Sequence, residues 1–308
     1  MYIYKRNIET SRSKLWTFRL KNLKKKFIDE VINKVQILVE EKNFERALLL
    51  IESLAHDLEG LVAKGICRDD STSEYRCFSN LFEMMLYIEQ RKPRRELRIP
   101  YYPIGFVFLT YGSILIDLKD LERARTALDK AIFWAPTDAT YVFEYAETFK
   151  VEGNMDEYLK STMRAYDIIY SPLCLARFYR NLGYYFIERK LWNEAIACYG
   201  ISLSYEPESP KAFQELNYIV QETGKAIEWP SREDAEKICE ENHIPYGPSK
   251  NVINVAMSYG MSHIKENDPE TAKYFLEIAY SLVKDPRIKV TIDSLKLPKD
   301  NPSGTIVN

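Results

Sequence analysis

Small residues recur in this chain at fixed steps, and that recurrence limits the folds open to it more than any other feature. From Gly112, twelve residues lead to Ala124, seven more to Ala131 and five more to Pro136. The same steps from Gly183 reach Ala195, Ser202 and Pro207, and from Gly260 they reach Ala272, Ala279 and Lys284, with Pro286 two residues late. A helix carrying the glycine lets a second helix approach closely. The alanine twelve residues on is the matching small residue of that second helix, and the position seven further lies on the same face after two turns. A proline five residues later cannot continue a helix and ends the unit.

The pattern resembles the tetratricopeptide repeat, a helix–turn–helix of ~34 residues whose copies stack side by side. With Gly112 as the eighth position, units begin at Gly105, Ala139, Ala176 and Ile253. Phe108, Tyr111, Leu115, Leu128 and Pro136 fill signature positions in the first, and Tyr179, Leu182, Phe186 and Tyr199 do so in the third. In the last, Tyr259, Gly260 and Leu276 do. The unit at 139–172 carries Tyr158 where a small residue is expected, so its packing should be displaced. A unit from Pro210, with Phe213, Leu216 and Val220, has its second helix delayed by an insertion around 225–230, restarting at Ser231-x-x-Asp234. A weaker unit spans 28–61, and Ser71-x-x-Glu74 is expected to cap a further helix ending at Pro93. Asn43, Asp120, Asn154 and Asp268 each stand four residues before the small position of a second helix, where they can accept hydrogen bonds from open amides.

The resemblance implies an all-α, right-handed α-solenoid of about five to seven stacked helical pairs. We divide the chain into a basic amphipathic arm or capping helix (1–27), degenerate repeats (28–95), a tetratricopeptide-like array (96–286) and a C-terminal tail (287–308) that is expected to be mobile. Such stacks leave a concave groove lined by first helices, and in this family the groove binds peptides or a helix. The second, fifth, ninth and twelfth residues of each unit should face it. On that basis the partner-binding residues are Phe106, Leu109, Phe143, Glu147, Arg177, Arg180, Tyr184, Lys211, Gln214, Tyr218 and Asn254. The groove should run from apolar to basic and aromatic, with Arg177, Arg180 and Lys211 pairing with acidic groups of another protein. Family members that hold chaperone tails use a Lys/Asn/Arg carboxylate clamp. Those positions here are Leu109, Ser113, Glu144, Arg177 and Asn181, and only the last two fit, so that partner is not expected.

Charge separates the arm from the rest. Residues 1–27 hold nine Lys or Arg and one acid, a net +8 in a chain of net −2, leaving −10 for the remainder. Trp16, Leu20, Leu23 and Phe27, at steps of four, three and four, form one apolar helical stripe. The arm is expected to cap the solenoid. Contact with nucleic acid or an anionic membrane is the alternative, which would make the chain a ligand-sensing regulator rather than an adaptor or scaffold.

No catalytic constellation is legible. Of the three histidines, only His243 has a cysteine at metal-sharing spacing (Cys239), and no second pair completes a set. There is no Gly-rich phosphate loop and no nucleophile elbow. The reading is therefore a non-enzymatic protein-binding chain without metal or cofactor. The five cysteines are an odd number with no C-x-x-C pair. Together with an N-terminus lacking a secretory stretch, they point to a cytoplasmic protein with free thiols. The longest apolar run, Ile104–Ile116, reads as a buried helix.

Overall fold

The computed structural model describes residues 26–295. In chain order the helices are α1 (26–40), α2 (Phe44–Ala63), α3 (Leu81–Arg91), α4 (Ile104–Asp117), α5 (Leu121–Trp134), α6 (Ala139–Glu152) and α7 (Met155–Arg164). They continue with α8 (Pro172–Glu188), α9 (Trp192–Tyr205), α10 (Pro210–Thr223), α11 (Arg232–Glu241), α12 (Lys250–Lys265), α13 (Pro269–Val283) and α14 (Pro286–Ser294). A 3₁₀ turn at Tyr166–Ile168 follows α7, and β1 (Ser73–Tyr75) pairs in parallel with β2 (Glu96–Arg98). The fold is all-α, built of helix–turn–helix pairs. Most of the basic arm lies outside the described residues.

One short turn recurs between paired helices. A residue with positive φ stands just before the capping position of the second helix: Lys42 (57°), Lys119 (63°), Gly153 (79°), Lys190 (58°) and Asn267 (60°). The next residue's amide returns to a carbonyl five residues back, as in Asp120 to Leu115 (2.9 Å), Leu191 to Phe186 (2.9 Å) and Asp268 to His263 (2.9 Å). Asp120, Asn154 and Asp268 then accept from the amides of Arg123, Glu157 and Thr271, as expected of N-caps. Asn43 makes no such bond, and Leu191 cannot.

The chain divides into two compact units. The first comprises residues through Phe78, Pro93–Pro136 and the end of α6. In it α2 packs on α4, and α4 pairs with α5. Gly112 is where α4 and α5 touch: a Cβ there would lie 2.5 Å from Leu128 Cγ. The expected helix capped at Ser71 is absent. Asp70 Oδ1 instead captures the amides of Thr72 (2.7 Å) and Ser73 (2.8 Å), and Asp69 captures that of Tyr75 (2.9 Å). Side-chain bonds to nearby amides compete with helix, and here they place β1. The helix begins nine residues later behind Asn80, with Asn80-x-x-Glu83 as its capping box: Asn80 Oδ1 accepts from Glu83 N (3.1 Å) and Glu83 Oε2 from Ser79 N (2.7 Å).

The second unit comprises Ser79–Lys92, Thr137–Ala146 and Gly153 onward. The pair α8–α9 closes at Gly183, where a Cβ would lie 2.7 Å from Tyr199 Cε2, and α12–α13 closes at Gly260, 2.7 Å from Leu276 Cγ. Ser202 replaces the alanine of the other pairs, and its hydroxyl is satisfied by donating to Ala176 O (2.9 Å). Three departures from regular stacking stand out. Tyr158 is buried edge-on to Tyr184, and α7 is cut short into the 3₁₀ turn. The insertion before α11 separates it from α10, and α11 packs on α9 instead. The α12–α13 pair packs on α3 and the 3₁₀ turn. Phe82 lies between Tyr170 and Phe275 there (ring centroids 5.2 and 6.1 Å).

That packing is completed by a buried polar cluster. Tyr170 donates to Glu83 Oε1 (2.8 Å), Asn80 Nδ2 to the Tyr170 oxygen (2.7 Å), and Tyr274 to Asn80 Oδ1 (3.2 Å). Burial pushes the Glu83 carboxyl above its ordinary range, with nearby Asp138 adding to the effect. The chain expected to become a tail at 287 begins as α14, capped by Asp285 and burying Ile288 and Ile292. Of that expected tail, residues 296–308 fall outside the described structure.

Candidate protein-interaction surface

The candidate surface is built on α8 and α10 of the second unit, which pack on one another. Helix α10 starts with Pro210 at a first-turn position and stops at Gly224, whose left-handed backbone (φ 65°) ends it. Ala212, Leu216 and Ile219, spaced four and three apart, turn inward. That leaves Lys211, Gln214 and Tyr218, three and four apart, on one outward face. All three are exposed, and no side chain among them makes a hydrogen bond or ion pair with any described residue.

The cations of α8 do not join Lys211 as open charges. Arg177 donates to Glu144 (2.9 Å) and lies over the Phe143 ring at 5.1 Å. Arg180 is ion-paired with Glu206 and reaches Ser202 Oγ at 3.4 Å. The basic stretch expected from Arg177, Arg180 and Lys211 is thereby reduced to Lys211, because carboxylates of neighbouring helices neutralise the other two. Tyr184 is half-buried against Tyr158. Phe143 is fully buried, so its place in a partner-contacting set is corrected: it supports the surface from beneath.

The remaining expected residues are dispersed. In the first unit Phe106 is 43% exposed, Leu109 is half-buried, and Glu147 pairs with Lys150 (3.5 Å). Asn254 is exposed on α12, whose main neighbours outside its own hairpin are α3 and the 3₁₀ turn.

Two residues outside the predicted set lie on the same two helices. Phe213 holds a position whose counterparts Phe108 and Tyr179 are buried against a second helix, yet it is 46% exposed because α11 does not lie along α10. The delayed restart at Ser231 was the signal for it. Asn181, one turn on from Arg177, has its Nδ2 buried and without a hydrogen-bond partner among the described residues, so it lies beneath the surface rather than on it.

Among the described residues, no group of three or more His, Cys, Asp or Glu side chains is arranged to hold a metal ion. Burial pushes the Cys239 thiol up to about 11, away from the thiolate form that binds metals or attacks electrophiles. No helix among the described residues is long and apolar enough to cross a membrane.

Neither a family model nor a curated protein matches the chain. Solved structures to which it is similar include a chain of the APC/C hetero-tetramer Cut9-Hcn1, at 15% identity and TM-score 0.34, covering 85% of this chain and 48% of that one. Another is a tetratricopeptide repeat protein from Parabacteroides merdae, at 11% identity and TM-score 0.30, covering 86% and 97%. This chain thus spans about half the length of the first. Likeness of that degree adds nothing to the local geometry. Glycine-to-Leu or glycine-to-Tyr contacts, the recurring left-handed turn and the capped second helices make the helical pairs of this chain tetratricopeptide-like.

Proposed function

We propose that the chain is an adaptor or scaffold that binds another protein through the α8–α10 face. The observation that carries this reading is the outward row Lys211, Gln214 and Tyr218, whose side chains have no hydrogen bond or ion pair with the described residues, on a helix whose other flank exposes an aromatic residue, Phe213, that the repeat would normally bury. Aromatic side chains that are already ordered bind at low entropic cost and are enriched at the centres of interfaces. The chemistry favours a segment that offers apolar groups to Tyr218 and one carboxylate to Lys211. A strongly acidic partner is not favoured, since Glu144 and Glu206 already answer Arg177 and Arg180.

The test is affinity capture from the source cell with the wild-type chain and with Lys211→Glu/Tyr218→Ala, followed by titration of the captured protein. The expected result is a loss of at least tenfold in affinity with an unchanged melting temperature. Equal affinity for both chains would refute the reading. Arg180→Glu is unsuitable for this purpose, because it sets a second carboxylate against half-buried Glu206 and lowers stability by itself.

A further inference from the structure

The two-stranded sheet of the first unit has one sealed edge and one open edge. With Ser73 paired to Glu96, Glu74 to Leu97 and Tyr75 to Arg98, the ladder groups of β2 belong to Glu96 and Arg98. Glu96 N donates to Thr72 O (2.8 Å), and Arg98 O accepts from Arg76 N (3.0 Å). Successive residues of a strand turn their N–H and C=O to opposite sides. Ser73 and Tyr75 therefore direct theirs away from β2, and Leu97 directs its own away from β1.

The outward groups of the two strands fare differently. On β1, Asp70 Oδ1 accepts from Ser73 N (2.8 Å), Asp70 N donates to Ser73 O (2.9 Å), Asp69 Oδ1 accepts from Tyr75 N (2.9 Å), and Arg76 Nη1 donates to Tyr75 O (2.6 Å). All four are answered within the chain. On β2, Leu97 N and O have no hydrogen bond with any described residue, and neither do Ile99 N and O just beyond it.

The side chains along the open edge say what fits it. Ile99 precedes Pro100, which keeps it extended, and it is 62% exposed. Leu97, two residues before, is half-buried on the same face. Glu96 and Arg98 are exposed on the opposite face and paired with each other (2.6 Å). Arg94, in the bend leading into β2, is exposed, and its side chain has no hydrogen bond or ion pair with any described residue. Pro93 and Pro100 bound the segment, and neither offers an N–H. So short an edge takes a few residues of chain and does not grow into a sheet.

We propose that the open edge of β2 receives a short extended segment of a partner protein as a third strand. Its main chain bonds Leu97 N and O, its apolar side chains lie against Leu97 and Ile99, and an acidic side chain answers Arg94. In strand addition the main-chain bonds give affinity and the alternating side chains give specificity. This surface shares no residue with α10.

The probe is a short capped peptide of alternating valine and glutamate, titrated to millimolar concentration into the full chain while hydrogen exchange of the Leu97 amide is followed. The expected result is exchange slowed about fivefold or more, in the wild type and in Leu97→Val alike. Leu97→Pro removes the outward N–H and leaves the ladder bonds to β1 in place, so peptide affinity should fall about fivefold or more. Because proline also removes a half-buried side chain, a chain with leucic acid at position 97, which has an ester in place of that one amide, must show the same loss. A Leu97 amide unmoved by millimolar peptide, or equal affinity of the wild type and the ester chain, would overturn the proposal. Slowing that rises with chain concentration in the absence of peptide would overturn it too, by giving the edge to a second copy.

Discussion

Alanine placed at two glycines of one helical pair should move stability in opposite directions. Gly183 and Gly200 lie in α8 and α9. As helix residues, both should gain from the lower chain entropy of alanine, by roughly 0.5–1 kcal/mol. At Gly200 nothing opposes that gain: the new Cβ would meet only the Trp229 ring at 3.4 Å, and Trp229 is 54% exposed and free to shift. At Gly183 the new Cβ would lie 2.7 and 2.8 Å from Tyr199 Cε2 and Cζ, about 1 Å inside ordinary contact. Tyr199 is 1% exposed and rigid in the plane that matters, so the helices must part. Overpacking of this kind costs about 1–3 kcal/mol. The net expectation is destabilisation of about 0.5–2 kcal/mol for Gly183→Ala against stabilisation of about 0.5–1 kcal/mol for Gly200→Ala. Urea unfolding followed by far-UV circular dichroism resolves a gap of that size. In a Tyr199→Ala background the penalty at Gly183 should vanish and its sign reverse, a coupling that a double-mutant cycle reads directly. If Gly183→Ala stabilised the chain as much as Gly200→Ala, close helix approach would not be the reason for the recurring glycine.

Two further pairs of variants should part in the same manner, and one variant should part from wild type with pH. Asp120→Ala should cost about 1 kcal/mol by removing the bond to Arg123 N, whereas Asn43→Ala should cost a few tenths at most, having no cap bond to lose; thermal melts of both check this. Phe108→Ala should cost about 3–5 kcal/mol and Phe213→Ala under 1 kcal/mol, although both hold the same place in their repeats, because one is 2% and the other 46% exposed. Glu83 has a folded pKa raised by burial. Its stability contribution is complete below its unfolded value, near 4.5, and is lost as pH rises through the raised value. Melting of Glu83→Gln against wild type between pH 4 and 8 should therefore show the variant gaining on the parent as pH rises, and a constant or shrinking difference would contradict the burial argument.

The helical pairs were legible in the sequence where one residue type settles a local contact. Gly112, Gly183 and Gly260 each meet a side chain sixteen residues on, at a distance only glycine permits, and Asp120, Asn154 and Asp268 cap the second helices of their pairs. The start of α3 was not legible in the same way. Ser71-x-x-Glu74 and Asn80-x-x-Glu83 are equally good capping boxes, and the choice falls to groups distant in sequence. Arg76 lies over Phe133 at 4.3 Å, Cys77 N bonds Trp134 O at 2.6 Å, and Arg95 reaches Glu74 at 2.8 Å, all of which hold 73–77 extended. Open charge was misread for a related reason. Arg177 and Glu144 stand 33 residues apart, almost one repeat, so a cation at the second position of one unit meets an acid at the sixth position of the unit before. Comparing units pairwise, rather than one at a time, would have found that bond.

Irregularity and the candidate surface have one physical origin in the second unit. Residues 224–231 detach α11 from α10, and Trp229, carried by that stretch, comes to rest over Gly200 of α9. Helix α10 keeps its inward stripe, which fixes it to α8 and α9, but loses the partner that would cover Phe213. A helix fixed on one side and uncovered on the other presents its side chains in set positions, which lowers the entropic cost of an interface. In the regular pairs α4–α5 and α8–α9 the counterparts of Phe213, Phe108 and Tyr179, are buried. On the proposed function, the surface used in this unit is the one left where the repeat fails, and a search for partners is better aimed at α10 than at the most regular pairs.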